Sequence, residues 1–181
     1  NTNDYSLYDR LFTADFVGIC DTSAMGPEAA KPQSWEISFT LDSDKTGAPP
    51  RKARLFRFAC ASAAYNQADV YYFADGSGEP RNLQFAAPEL AIRYENDDSN
   101  GKVESVQIVG YTAEDQLMNS SYDPQTRTIS STNKWRGVGD AASSGAWMFR
   151  NGAFTLVKYD VDASYDGQVD PQPVIDYQTG P

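Results

Sequence analysis

Two apolar-rich runs, residues 146–150 and 153–161, flank Asn151-Gly152. A two-residue hairpin turn needs positive φ at both positions, and asparagine and glycine accept it most readily. The stretch therefore predicts a β-hairpin. On its second arm Phe154 and Leu156 point one way, and Thr155, Val157, Tyr159 and Val161 the other, because strand side chains alternate. Both faces carry bulk, which predicts a strand flanked on both sides.

The same period of two recurs along the chain. Trp35, Ile37, Phe39 and Leu41 alternate with Glu36, Ser38 and Thr40. Phe56 and Phe58 oppose Arg57 over residues 52–60, and Leu90, Ile92 and Tyr94 share a face over residues 90–95. Further strands are predicted at 70–74, 83–85, 103–111 and 127–132, and a short one at 16–20. Between them lie turn-forming stretches such as residues 42–51 (DSDKTGAPPR) and 96–101 (NDDSNG). Helical spacing appears at Tyr8, Leu11 and Phe12, within an N-terminal helix or arm over 1–16 that Asp4 could cap. Residues 113–118 could form one helical turn. Residues 162–181 form a polar tail with an edge strand near 174–177. The sum is a single β-rich domain spanning 1–181, all-β, with nine to eleven short strands and at most one or two short helices. It is an antiparallel sandwich or a barrel-like sheet.

Composition narrows the chemistry. The 181 residues include 11 Tyr, 9 Phe and 3 Trp, enough for a sizeable core. The formal charge of −10 argues against nucleic acid, which needs a basic surface, and is compatible with a basic partner. No apolar run reaches membrane-spanning length, so no helical membrane insertion is expected. The absence of histidine excludes Ser-His-Asp and Cys-His catalysis and imidazole metal sites. Cys20 and Cys60 are too few for a four-thiolate zinc site; they can form one disulfide or remain free thiols. The chain starts at Asn1 rather than Met, which suggests processing or truncation.

Several motif-like stretches fail on context. Residues 137–142 (GVGDAA) match the dinucleotide fingerprint, but a hairpin follows where a helix N-terminus should hold the pyrophosphate. Ser131 and Lys134 have the S-x-x-K spacing, yet in a strand they point to opposite faces. Asn119-Ser120-Ser121 fits a glycosylation sequon and carries no weight. Residues 162–170 (DASYDGQVD) come closer to a site. Asp162, Ser164, Asp166 and Asp170 sit at positions one, three, five and nine of a calcium loop, with Gly167 at six. Serine at three, and Pro173 where position twelve needs glutamate, make it a weak calcium site at best. No other cofactor is expected. Carboxylates at 97, 98, 114, 115, 123, 140 and 160 could hide a glycosidase pair, which only spatial separation can identify. Trp135, Arg136, Trp147, Phe149 and Tyr65 could form an aromatic binding face or belong to the core.

Residues 122–130 (YDPQTRTIS), 134–140 (KWRGVGD) and 147–156 (WMFRNGAFTL) together resemble a bacterial secreted family catalogued as domain of unknown function 1176. Its members have a K-G-R-G-x-G-D-C segment followed by W-x-W-[DN]-G-x-x-F-x-L. Residues 60–66 (CASAAYN) resemble an upstream cysteine and Ala-Tyr-Asn element of the same family. The likeness spans roughly residues 60–161. Ala141 stands where the pattern has cysteine, and Trp135 replaces glycine. The resemblance implies export to the periplasm or outside the cell, which favours a Cys20–Cys60 bridge. It carries no established activity.

The expected function is a non-enzymatic extracytoplasmic binding module for a protein or cell-envelope component. Its candidate ligand residues are Trp135, Arg136, Asp140, Tyr65 and Asn66. The rivals are an inhibitor of a basic envelope-attacking enzyme such as lysozyme, and a carboxylate-based glycan hydrolase.

Overall fold

A computed structural model describes residues 2–77 and 79–177, the side chains of residues 2–4 aside. The last four residues of the tail lie outside the described residues. The chain is all-β but for one helix, α1 (Thr2–Asp15), and a short 3-10 turn at Glu95–Asp97. The strands are β1 (Gln33–Phe39), β2 (Arg51–Ser62), β3 (Gln67–Ala74), β4 (Arg81–Asn82), β5 (Phe85–Tyr94) and β6 (Val103–Glu114). They continue as β7 (Leu117–Met118), β8 (Ser121–Asp123), β9 (Thr128–Lys134), β10 (Ala142–Arg150), β11 (Ala153–Asp162) and β12 (Gln172–Asp176).

One five-stranded sheet runs β1-β2-β3-β4, with β7 also pairing β3; another runs β12-β11-β10-β9-β8. Strands β5 and β6 form a separate two-stranded ribbon. All of these ladders are antiparallel, and none closes into a barrel. The two large sheets face each other across a core containing Leu55, Tyr71, Phe73, Phe85, Ile129, Trp147 and Phe149. A second apolar layer covers the back of the first sheet, where Tyr8 stacks on Phe56 at 3.7 Å and Phe12 on Phe58 at 4.7 Å between ring centroids. This layer is why β2 and β3 bury apolar side chains on both faces: one faces the sandwich, the other faces the helix.

Helix α1 begins at Thr2, which places Asp4 in the first turn and not at the cap; the Asp4 side chain lies outside the described residues. Residues 16–20, expected as a strand, continue the helical turn instead. Phe16 and Cys20 donate their backbone N–H groups to Phe12 and Phe16, which seats Phe16 in the second apolar layer. Cys20 then bonds to Cys60 across 4.5 Å between Cα atoms, tying the end of the helical segment to β2. Residues 113–118 are not helical either. They end β6 and form β7, which pairs with β3 so that Leu117 is buried in the main core.

The predicted hairpin forms as β10–β11, with Asn151 and Gly152 at φ 45° and 85°, and β11 is flanked by β10 and β12. Its face assignment changes half-way. Trp147 pairs with Leu156 but Gly145 pairs with Tyr159, so one extra residue is inserted on β11. This β-bulge turns Tyr159 and Val161 to the face of Phe154 and Leu156 rather than the opposite one.

Candidate functional site

The bulge shapes a cleft of about 410 Å³ at one end of the sandwich. Its floor is the inner face of the second sheet: Ser131 and Asn133 from β9, Ser143, Gly145 and Trp147 from β10, and Tyr159 from β11. Its other wall is Ala113 and Glu114 at the end of β6, Asp115 and Gln116 beyond it, and Met118 of β7. Along the inner face of β10 the small Ser143 and Gly145 give way to Trp147 and Phe149, so the core fills one end and leaves space at the other. Gly145 is required there. A Cβ on it would lie 2.6 Å from Cη2 of the Trp147 indole.

Trp147 is held from the far side, its Nε1–H donating to the Ala86 carbonyl at 2.9 Å. Ser131 Oγ donates to the Met118 carbonyl at 2.8 Å, and Trp135 Nε1–H donates to Ser143 Oγ at 3.3 Å. Glu114 pairs with Phe85 across the β5–β6 ribbon, so the two side chains share a face, and Phe85 packs on Trp147. That register aims Glu114 at the cleft. Glu114 as a residue is exposed at the lip, but partial desolvation of its carboxyl pushes it above the usual range, and the neighbouring Asp115 charge adds to the shift. Tyr159 is raised by burial and by the Glu114 charge, against the hydrogen bond from Ser143. Among the described residues, neither Glu114 nor Asp115 has a cationic side chain within ion-pair distance. The lip of the cleft is thus an uncompensated negative pair beside two aromatic rings.

The five residues singled out from sequence come together behind this cleft, in the β9–β10 and β2–β3 connections. Arg136 donates from Nε and Nη2 to both Asp140 carboxylate oxygens, and from Nη2 to the Tyr165 carbonyl at 3.1 Å. Its guanidinium lies 5.2 Å from the Tyr165 ring centroid. Asp140 is buried, also accepts the Gly167 N–H, and is held well below the usual carboxylate range, chiefly by the Arg136 hydrogen bonds. Asn66 donates to the Lys134 carbonyl at 2.9 Å and accepts from the Lys134 N–H and from Asn119 Nδ2. The Tyr65 ring packs over Gly137, 3.4 Å from where a Cβ would be. The bonded atoms of Arg136, Asp140 and Asn66 are spent internally, Tyr65 is exposed, and of the five only Trp135 reaches the cleft, through Ser143.

A family model described as protein of unknown function, DUF1176, matches residues 51–171. The chain belongs to this DUF1176 family. Every residue lining the cleft falls inside the DUF1176 match, as do Cys60 and the Arg136–Asp140 latch; α1, β1 and Cys20 fall before it. No curated protein and no solved structure is matched by the chain.

The calcium-like spacing in the DUF1176 segment serves turns. Asp162 Oδ1 accepts from the Ser164 N–H and hydroxyl, its Oδ2 accepts from the Asp170 N–H, and Asp166 accepts from the Gln168 N–H. Asp162, Ser164, Asp166 and Asp170 line one pocket, though among the described residues no three acidic or cysteine side chains form a group able to hold a metal ion. Of the seven carboxylates marked for glycan chemistry, only Glu114 and Asp115 line the cleft. Ser143 and Gly145 escaped the sequence reading, and Ser131 enters it only through the rejected S-x-x-K spacing. Their signal was the run of small and hydroxyl residues on inner-face positions of β9 and β10, where a filled core would carry bulk.

Proposed function

We propose that this chain is an extracytoplasmic binding module and that the cleft holds a cationic group of a basic partner protein. The observation that carries this reading is the Glu114–Asp115 lip, without a cationic partner and set against Trp147 and Tyr159. A cation there gains from two carboxylates in a partly desolvated site and from the aromatic faces beside them. The disulfide supports an exported location, since such bonds persist in oxidising compartments. The formal charge of −10 supports a basic partner. An immobilised chain is expected to bind a basic lysozyme at low salt and release it at high salt. Glu114→Gln and Asp115→Asn should each weaken the complex, and no binding at low salt would sink the proposal.

Carboxylate-based glycan hydrolysis is the second reading, favoured by the raised Glu114 carboxyl, the state a general acid needs. It ranks lower because Glu114 and Asp115 are consecutive and sit on the same wall of the cleft, whereas a glycosidase pair flanks one bond from two sides. Release of reducing ends from peptidoglycan, lost in Glu114→Gln, would reverse the ranking.

A further inference from the structure

Strand β6 is the longest strand edge among the described residues; it carries β-bulges at Glu104 and Val109, but it lacks the proline found in or beside the other long edges. Proline removes a ladder donor, and natural sheets use it to blunt their edges. Here β1 follows Pro32, β4 follows Pro80, β5 contains Pro88, β8 precedes Pro124 and β12 contains Pro173. Strand β7 has only two residues. The twelve residues of β6 contain no proline, lysine or arginine, and their only ladder partner among the described residues is β5. The first half of β6 lies near β12. The second half is open: Val109 and Tyr111 are 61% and 59% exposed, and residues 112–114 are exposed as well. That open half ends at Glu114, on the lip of the cleft.

We infer that the free edge of β6 over residues 109–114 takes an extended basic segment of the partner as an added strand, with one of its cationic side chains entering the cleft. The inference deepens the binding-module reading and rests on it. Main-chain hydrogen bonds along a strand edge supply affinity without sequence, and side-chain pockets at alternate positions supply specificity. Cross-strand neighbours share a face. A residue placed opposite Glu114 therefore falls on the side that Glu114 and Phe85 already occupy, the side of Trp147 and Tyr159. Charge selects the occupant. Glu89 reaches to Gly110, and Glu114 and Asp115 close this half of β6, Glu104 being paired with Arg93. A second copy would bring the same carboxylates and another −10 onto this edge. A basic strand neutralises them.

The test is amide NMR and hydrogen exchange on the full 15N-labelled chain, titrated with an acetylated seven-residue peptide alternating lysine and valine. Exchange protection is expected at backbone amides within 109–114, with shifts at Glu114, Trp147 and Tyr159. The peptide methylated on alternate backbone nitrogens should lose the protection. Val109→Lys with Tyr111→Lys, both at exposed positions, should weaken binding about ten-fold by placing like charge on the edge. Glu114→Gln should reduce affinity while leaving the protected amides in place. Shifts confined to the cleft, without protection along β6, would overturn the added strand and leave the binding-module reading standing. No shifts at low salt would overturn both. Protection already present in the free chain and rising with its concentration would show a second copy on β6, and would overturn the basic segment as its occupant.

Discussion

Gly145 and Trp147 show how single residues make the cleft. The indole folds back over Gly145, so a methyl group at that position meets a ring that is buried and tethered to Ala86. Gly145→Ala is expected to cost about 1–3 kcal/mol through overpacking. It should also shift the Trp147 fluorescence, and a melting temperature equal to wild type would refute the close contact. Glu114 makes a pH prediction. Its carboxyl is raised by partial desolvation, so it takes up a proton at higher pH than an ordinary glutamate. A cation binds only the ionised form. Affinity for a basic partner should therefore fall on acidification above the ordinary glutamate range, and Glu114→Gln should flatten that limb of the profile. Asp44 works the other way. Its carboxylate accepts from Arg51 and from the Leu41 N–H, and its pKa is lowered from 3.8 to about 2. Its contribution is present in full above the unfolded value and is lost as pH falls through about 2. Asp44→Asn should lose stability at neutral pH and show a shallower loss in acid, read from urea midpoints across pH.

At the scale of elements, local patterns were legible and interruptions were not. Asn151-Gly152 announced its hairpin because turn chemistry is contained in two residues. The bulge on β11 was invisible, because it is set by how β11 pairs with β10 around Trp147; alternation alone sends Tyr159 to the wrong face. Strand β7 was unreadable for a related reason. Two residues carry no period, and Leu117 becomes a strand residue only by pairing with Asp69 of β3. Residues 16–20 misled because a helical turn spanning Phe16 to Cys20 offers the same apolar composition as a short strand. Trp135, Arg136 and Asp140 were singled out as candidate ligand residues, but sequence could not tell that Arg136 and Asp140 satisfy each other. The disulfide belongs to this scale too, since it staples the helical layer to β2 over a separation of 40 residues. In the chain-entropy model its loss costs roughly 4 kcal/mol. Cys20→Ser with Cys60→Ser should lower the melting temperature by that equivalent and loosen the Phe12–Phe58 stack. Near-ultraviolet circular dichroism would report it, and an unchanged melting temperature would show that the helical layer is held by its aromatics alone.

The whole molecule adds what no element carries, a negative field around one partly open edge. The charge of −10 acts over a Debye length of about 30 Å at 0.01 M salt and about 3 Å at 1 M. Long-range attraction governs encounter, whereas contacts inside a desolvated site govern escape. The two should separate in the kinetics with a basic lysozyme. Raising salt should reduce the association rate steeply, because it screens the summed field of exposed carboxylates. Glu114→Gln removes one charge from that sum and should barely change association, but it removes a contact made only in the complex and should speed dissociation. Neutralising two carboxylates remote from the cleft, Asp97→Asn with Asp98→Asn at the far turn of the ribbon, should do the reverse. If surface plasmon resonance showed Glu114→Gln and the remote pair acting on the same rate constant to the same extent, the cleft would have no special part in binding, and recognition would reduce to net charge.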